Sequence, residues 1–156
     1  MNRQHEGVVL AVCISEKRGT KKQMIPYALL EENSGIEGDA HACSESIRQV
    51  SLLAAESIQK MEEKGLETTP GLFAENIVTS GLDLISLKPG TRLSVGQTAV
   101  LEITQIGKEC HTHCEVFLRV GECIMPREGV FARVIRGGTV RKGDRILLID
   151  HGTYKC

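Results

Sequence analysis

The sequence has no tryptophan, and its three phenylalanines and two tyrosines make aromatics only 3% of the chain. With so few rings there is little to stack on unpaired bases, which counts against single-strand nucleic-acid binding. The core must be aliphatic. Charge is balanced: 19 basic and 20 acidic residues leave a formal net charge of −1, so no global field draws the protein to nucleic acid or to an anionic membrane. Long hydrophobic runs are missing too. The polar start at residues 1–7 is followed by only about eight apolar-leaning residues, too few for a membrane span and without the flanks of a signal peptide. A cytoplasmic protein with no membrane and no nucleic-acid partner is expected. The lack of any repeat, linker or low-complexity stretch argues for one domain over residues 1–156, with its core within residues 6–150.

What is present suits a single core. A chain of 156 residues, 41% hydrophobic and 25% charged, can bury roughly two thirds of its unfolded surface. Its six cysteines are expected to be reduced in the cytosol, where most serve as small buried side chains and the rest as ligands or nucleophiles.

Residues 7–15 form an unbroken apolar, β-branched run that reads as a strand buried on both faces, with Cys13 in the core. Lys17, Arg18, Lys21 and Lys22 around Gly19 read as a solvated hairpin connection, with an anion site as the alternative. A strand over 24–30 precedes a glycine-rich turn in which Gly35 and Gly38 can take positive φ, placing Asp39 and His41 at the bend. Residues 48–53 read as a strand. Ala54, Ile58 and Met61 then recur at helical spacing, with Glu56 and Lys60 set for an i,i+4 pair. Gly65 stops this helix with Leu66 folding back, and its narrow apolar stripe predicts packing on the outside of a sheet. Beyond Phe73, short runs at 76–79, 92–95, 99–106, 129–135, 139–140 and 145–149 alternate with glycine turns. The fold class expected is mainly β, a closed or nearly closed barrel with short helical additions and one clear amphipathic helix over 54–64.

Two of six cysteines and two of five histidines fall within residues 110–114, at the end of a strand, where a scaffold commonly presents functional groups. Three readings compete for Cys110, His111, His113 and Cys114. A thiol there is a nucleophile or sulfur carrier, its thiolate favoured by an imidazolium or Lys108 and opposed by Glu109. Alternatively Cys110, Cys114, His113 and Cys123 hold a soft metal such as zinc, although the spacing is not that of a common zinc module. Thirdly, the cysteines are inert and the histidines solvate a turn. Residues 115–120 suggest a short helix and 123–129 an irregular loop; if the loops meet, Arg127 and Lys108 can hold an anion.

Three pieces in order, Gly35-Ile36-Glu37-Gly38-Asp39-Ala40-His41, Arg48-Gln49-Val50-Ser51-Leu52-Leu53 and Glu75-Asn76-Ile77-Val78-Thr79-Ser80-Gly81-Leu82-Asp83-Leu84, are followed by Gly90-Thr91-Arg92-Leu93-Ser94-Val95-Gly96 and a strand leading to Cys110. In this the sequence resembles the MOSC domains, named after the C-terminal domain of molybdenum-cofactor sulfurase. The resemblance implies a strand-rich barrel and a cysteine, best matched by Cys110, that carries sulfur as a persulfide to a molybdenum or metal-sulfur centre. It also implies that Arg48, Asn76 and the Gly38–Asp39 turn shape a pocket for the anionic molybdenum cofactor, molybdopterin. No pyridoxal-phosphate desulfurase segment precedes the barrel, so a separate cysteine desulfurase or other sulfur donor and a molybdoenzyme acceptor are the partners expected. The alternative is a non-catalytic module that binds metal or finished cofactor through the Cys-His-Thr-His-Cys cluster.

Overall fold

The computed structural model describes residues 6–107 and 124–151. Its strands in chain order are β1 (Glu6–Ile14), β2 (Gln23–Ile25), β3 (Tyr27–Glu31), β4 (Gly35–Ile36), β5 (Val50–Ala54), β6 (Ile77–Ser80), β7 (Thr91–Val95), β8 (Ala99–Ile106), β9 (Val130–Arg136), β10 (Gly138–Arg141) and β11 (Arg145–His151). Helix α1 (Ala55–Glu62) follows β5, and the single turn α2 (Met125–Glu128) precedes β9. Neighbouring strands run β11-β7-β8-β9-β5-β6-β1, and β11 pairs back onto β1, closing a barrel of seven strands. Expectation and structure agree on a mainly β barrel with few helices.

Alternation explains the barrel wall. In β8, Ala99, Leu101 and Ile103 point inward and are fully buried, while Val100, Glu102 and Thr104 are half-buried. The interior is aliphatic, with Val9, Val12, Leu52, Ile77, Leu93, Leu101, Ile103 and Ile146 in one cluster. β1 is buried on both faces through its centre, as its apolar run implies, but its register is irregular. A bulge between Val9 and Ala11 sends both Val9 and Val12 inward and turns Ala11 and Cys13 outward, beneath Ala55 and Ile58. Leu10 is left 38% exposed.

All neighbouring barrel strands pair antiparallel except β5 and β6. A parallel pair needs a crossover, and α1 begins it. Its outer-face packing places Met61 and Leu66 against Leu53, Phe73 and Phe131. Gly65 takes φ +94°, the Leu66 amide donates to the Met61 carbonyl at 3.3 Å and the Gly65 amide to the Glu62 carbonyl at 3.0 Å, the double bond of a Schellman stop. The expected Glu56–Lys60 pair is replaced by longer-range bonds: Lys60 Nζ lies 2.8 Å from Glu128 Oε2, and Glu56 accepts from the Gly81 amide at 2.9 Å. Two further expectations are corrected. The strand over 24–30 is divided at Pro26, β2 pairing with β1 and β3 with β10, because proline lacks the donor a continuous ladder needs. The irregular stretch before Gly129 contains α2, with Pro126 in its first turn. Among the described residues, no helix is long and apolar enough to cross a membrane.

Candidate functional site

The turn after β4 is folded by its glycines. Gly38 at φ +86° lets the chain reverse so that the Ala40 amide donates to the Ser15 carbonyl at 2.8 Å, docking the turn on the end of β1. Asp39 is thereby carried inward. Its Oδ1 accepts from the Ser15 amide at 3.1 Å and from Lys22 Nζ at 2.7 Å, and its Oδ2 accepts from the His41 amide at 3.1 Å. Both side chains of the Lys22–Asp39 pair are fully buried. Lys22 therefore corrects the picture of a uniformly solvated basic connection. Its backbone amide is tied to the Gly71 carbonyl at 2.8 Å, which draws this one lysine under the turn. Burial opposes the Asp39 carboxylate, but the Lys22 ammonium and the Ser15 amide outweigh it and hold its pKa well below the ordinary range, while the His41 ring nitrogen stands 3.7 Å from Oδ2, outside hydrogen-bond length.

The opposite wall comes from residues 71–76. Glu75 is completely buried and accepts from the Gly71 amide at 2.8 Å and the Phe73 amide at 3.0 Å; burial pushes its carboxyl up despite these donors. Ala74, beside it, takes φ +65°, left-handed for a residue with a side chain. Asn76 knits three strands together: Oδ1 accepts from the Ser51 amide at 2.9 Å and from Ser51 Oγ at 3.2 Å, and Nδ2 donates to the Cys13 carbonyl at 3.0 Å. The Cys13 thiol is pushed up to about 12 by burial and by Glu75, so it is a packing group and no nucleophile.

Between these walls lies a cleft of about 260 Å³. Arg18, His41, Arg48, Ser51, Asn76 and Phe131 line it with Gly19, Ser46, Ala74 and Met125, and no carboxylate is among them. The Arg48 guanidinium sits over the Phe131 ring at 5.8 Å, a contact that uses its face and leaves its edge donors for a ligand. Arg18 Nε donates to the Ala40 carbonyl at 3.4 Å, bracing it beside His41. Two guanidiniums and an imidazole facing one hollow suit an anion.

Of the residues picked from sequence, Arg48 and Asn76 border this cleft, Asp39 lies buried beneath His41, and Gly38 shapes the turn. Arg127 is exposed on α2, outside the lining. Lys108, Cys110, His111, His113, Cys114 and Cys123 lie outside the described residues. The chain on either side of them is described: the Gly107 amide donates to the Gly129 carbonyl at 2.6 Å, and Met125, two residues past Cys123, is part of the cleft wall. Among the described residues, no three His, Cys, Asp or Glu side chains converge to hold a metal. Sequence reasoning placed His41 at the turn without a role, named Arg18 and Lys22 only within the alternative reading of the basic connection as an anion site, and missed the parts played by Ser51 and Glu75. A larger hollow of about 350 Å³ lies beside α1, but there Glu128 is held by Ser57 and Lys60 and Glu56 by the Gly81 amide, so its charges largely satisfy one another.

Seven strands closed around an aliphatic interior, with a cleft lined by Arg18, His41 and Arg48, define a small closed β-barrel protein. The MOSC domain model matches residues 38–147, well over half of the chain, and the protein belongs to the MOSC domain family, a family generally linked to the molybdenum cofactor. Solved structures share the fold. The YuaD protein from Bacillus subtilis superposes with TM-score 0.77 at 20% identity, covering 96% of this chain and 97% of its own. YiiM from Geobacillus stearothermophilus gives TM-score 0.69 at 15% identity over 94% and 77% of the two chains. YiiM from Escherichia coli gives 0.63 at 18% over 92% and 70%. No curated protein matches the sequence.

Proposed function

We propose that this protein is a sulfur carrier for molybdenum-cofactor chemistry: Cys110 holds sulfane sulfur as a persulfide while the cleft holds the anionic cofactor that receives it. The observation that carries this reading is the cleft itself, lined by Arg18, Arg48 and His41, with no carboxylate among its described lining residues, and walled by Met125, close in the chain to the cysteine-rich segment. The donor set fits molybdopterin. A guanidinium forks onto phosphate oxygens, and about 260 Å³, slightly below the usual range of small-molecule pockets, takes the phosphate-bearing end of such a molecule. When bound, the cofactor supplies the molybdenum that accepts sulfur.

The loading step balances without an outside oxidant. The Cys110 thiolate attacks the outer sulfur of a donor persulfide, a new S–S bond forms on Cys110, and the donor leaves as a thiolate. In unloading, the Cys114 or Cys123 thiolate attacks the inner sulfur of the Cys110 persulfide, a disulfide forms as the S–S bond breaks, and the outer sulfur leaves as hydrosulfide to the acceptor. His111 or His113 moves the proton, and a thiol reductant such as glutathione restores both cysteines. Lys108, two positions before Cys110 in the chain, and Arg127, exposed on α2 outside the cleft lining, add positive charge that attracts the anionic cofactor. The test is to incubate the reduced protein with glutathione persulfide and weigh it intact, then by peptide. One added sulfur on the Cys110 peptide, absent in Cys110→Ser, is expected; no added sulfur on any peptide containing Cys110 or Cys114 overturns the reading.

A further inference from the structure

The hydrogen bonds beneath the cleft determine where His41 carries its proton, and with it what the ring can recognise. Lys22 has three ammonium donors and no acceptor. Its Nζ has three partners: Asp39 Oδ1 at 2.7 Å, Ser15 Oγ at 3.0 Å and His41 Nδ1 at 3.1 Å. Since the ammonium only donates, Nδ1 presents a lone pair to it, and the proton of the neutral ring sits on Nε2. The rival arrangement, Nδ1–H donating to Asp39 Oδ2, would span 3.7 Å, beyond hydrogen-bond length. That oxygen is already taken by the His41 amide at 3.1 Å.

The ring itself lines the cleft, its side chain 31% exposed between the buried pair and the open space. The geometry points to His41 as a directional Nε2–H donor that reads an acceptor oxygen of a phosphate group held in the cleft, with Lys22 and Asp39 as its positioning residues. This rests on the reading of the cleft as an anion site and deepens it by naming the ligand group and the residue that selects it. Arg18 and Arg48, which also line the hollow, supply charge. A charge alone attracts any anion; a fixed neutral donor favours a ligand whose oxygen is an acceptor at that point and disfavours one that presents a donor there.

The experiment uses the full-length protein labelled with nitrogen-15. A long-range proton–nitrogen spectrum distinguishes the two ring tautomers, and His41→Gln assigns the His41 signals by their loss. Titration with inorganic phosphate then follows both His41 and the Arg48 side chain. The Nε2–H pattern is expected, with phosphate shifting the Nε2 signal. Affinity should fall roughly tenfold in His41→Leu, the worth of one hydrogen bond to an anion, and recover partly in His41→Gln, whose amide restores a donor. Phenyl phosphate run in parallel separates the sources: a gain over inorganic phosphate identifies an esterified ligand, and equal affinity identifies free phosphate, either result supporting the donor role. An Nδ1–H pattern, or phosphate that shifts Arg48 while leaving His41 unmoved, overturns the inference and leaves the anion cleft standing. Phosphate that moves neither residue overturns both.

Discussion

Taking an ammonium and a carboxylate out of water costs several kcal/mol per ion before their mutual attraction is counted. Lys22 and Asp39 meet that cost with a 2.7 Å contact and with further partners from Ser15 and His41. Removing one partner leaves the other charge buried and alone. Lys22→Met is therefore expected to lose about 3–5 kcal/mol of stability at neutral pH, measured by urea unfolding, and a loss under about 1 kcal/mol would show that Asp39 finds other compensation. The pH dependence has a definite sign. The native pKa of Asp39 lies below its unfolded value, so its contribution is full above about pH 4 and fades as the pH falls toward the native value. Asp39→Asn should flatten that acid limb. Glu75, raised by burial, runs the other way: its contribution is present below its unfolded value, about pH 4, and is lost as the pH rises through the native one. These residues also show why the site was only partly legible. The Gly35–Gly38 turn announces Asp39 and His41 locally, through its demand for positive φ. Nothing near Lys22 separates it from Lys17 and Lys21, because what buries it is Asp39, 17 positions away in sequence, and the distant Gly71 carbonyl.

Elements that depend on local pattern were legible: β8 from its alternation, α1 from its spacing and its glycine stop, β11 from the turn ahead of it. Elements made by partners were not. The parallel pairing of β5 with β6, the bulge in β1 and the short α2 arise from contacts between distant segments, which no local period encodes. Two glycines at element ends make a controlled comparison. Gly65 ends α1 at φ +94°, with nothing near the position a Cβ would take, whereas Gly107 ends β8 at φ +74°, where a Cβ would stand 2.4 Å from the Pro126 carbonyl oxygen. Alanine at Gly65 should cost only the left-handed backbone, about 1–2 kcal/mol. Alanine at Gly107 bears that cost and must also push α2 away, so it should be clearly the more damaging in thermal melts. Because Gly107 precedes the cysteine-rich segment, Gly107→Ala should also slow sulfur loading of Cys110 while Gly65→Ala leaves it unchanged. Equal melting temperatures for the two variants would mean that α2 yields freely to the added methyl.

The barrel is closed where its first strand meets its last, β1 pairing with β11 through Glu6 with Leu147, Gly7 with Ile146 and Val8 with Arg145. Two kinds of interaction cross this seam. Arg145 Nη2 lies 2.7 Å from Glu6 Oε2, but the two side chains are 67% and 50% exposed, and exposed pairs of this kind contribute between nothing and about 1 kcal/mol. Ile146, by contrast, is fully buried in the interior cluster and faces Val95 on the next strand. Closure should thus rest on packing. Ile146→Ala is expected to lose about 2–5 kcal/mol, while a double-mutant cycle on Glu6 and Arg145 should give a coupling below about 1 kcal/mol that vanishes in high salt. The seam joins the first strand to the last, so closing it carries the entropy of a long loop, and refolding in the millisecond-to-second range follows from such non-local pairing. If closure comes after the transition state, Ile146→Ala will speed unfolding and leave the refolding rate nearly unchanged in stopped-flow traces. A refolding rate that drops in proportion to the lost stability would instead place the seam in the folding nucleus, with the barrel built outward from its join.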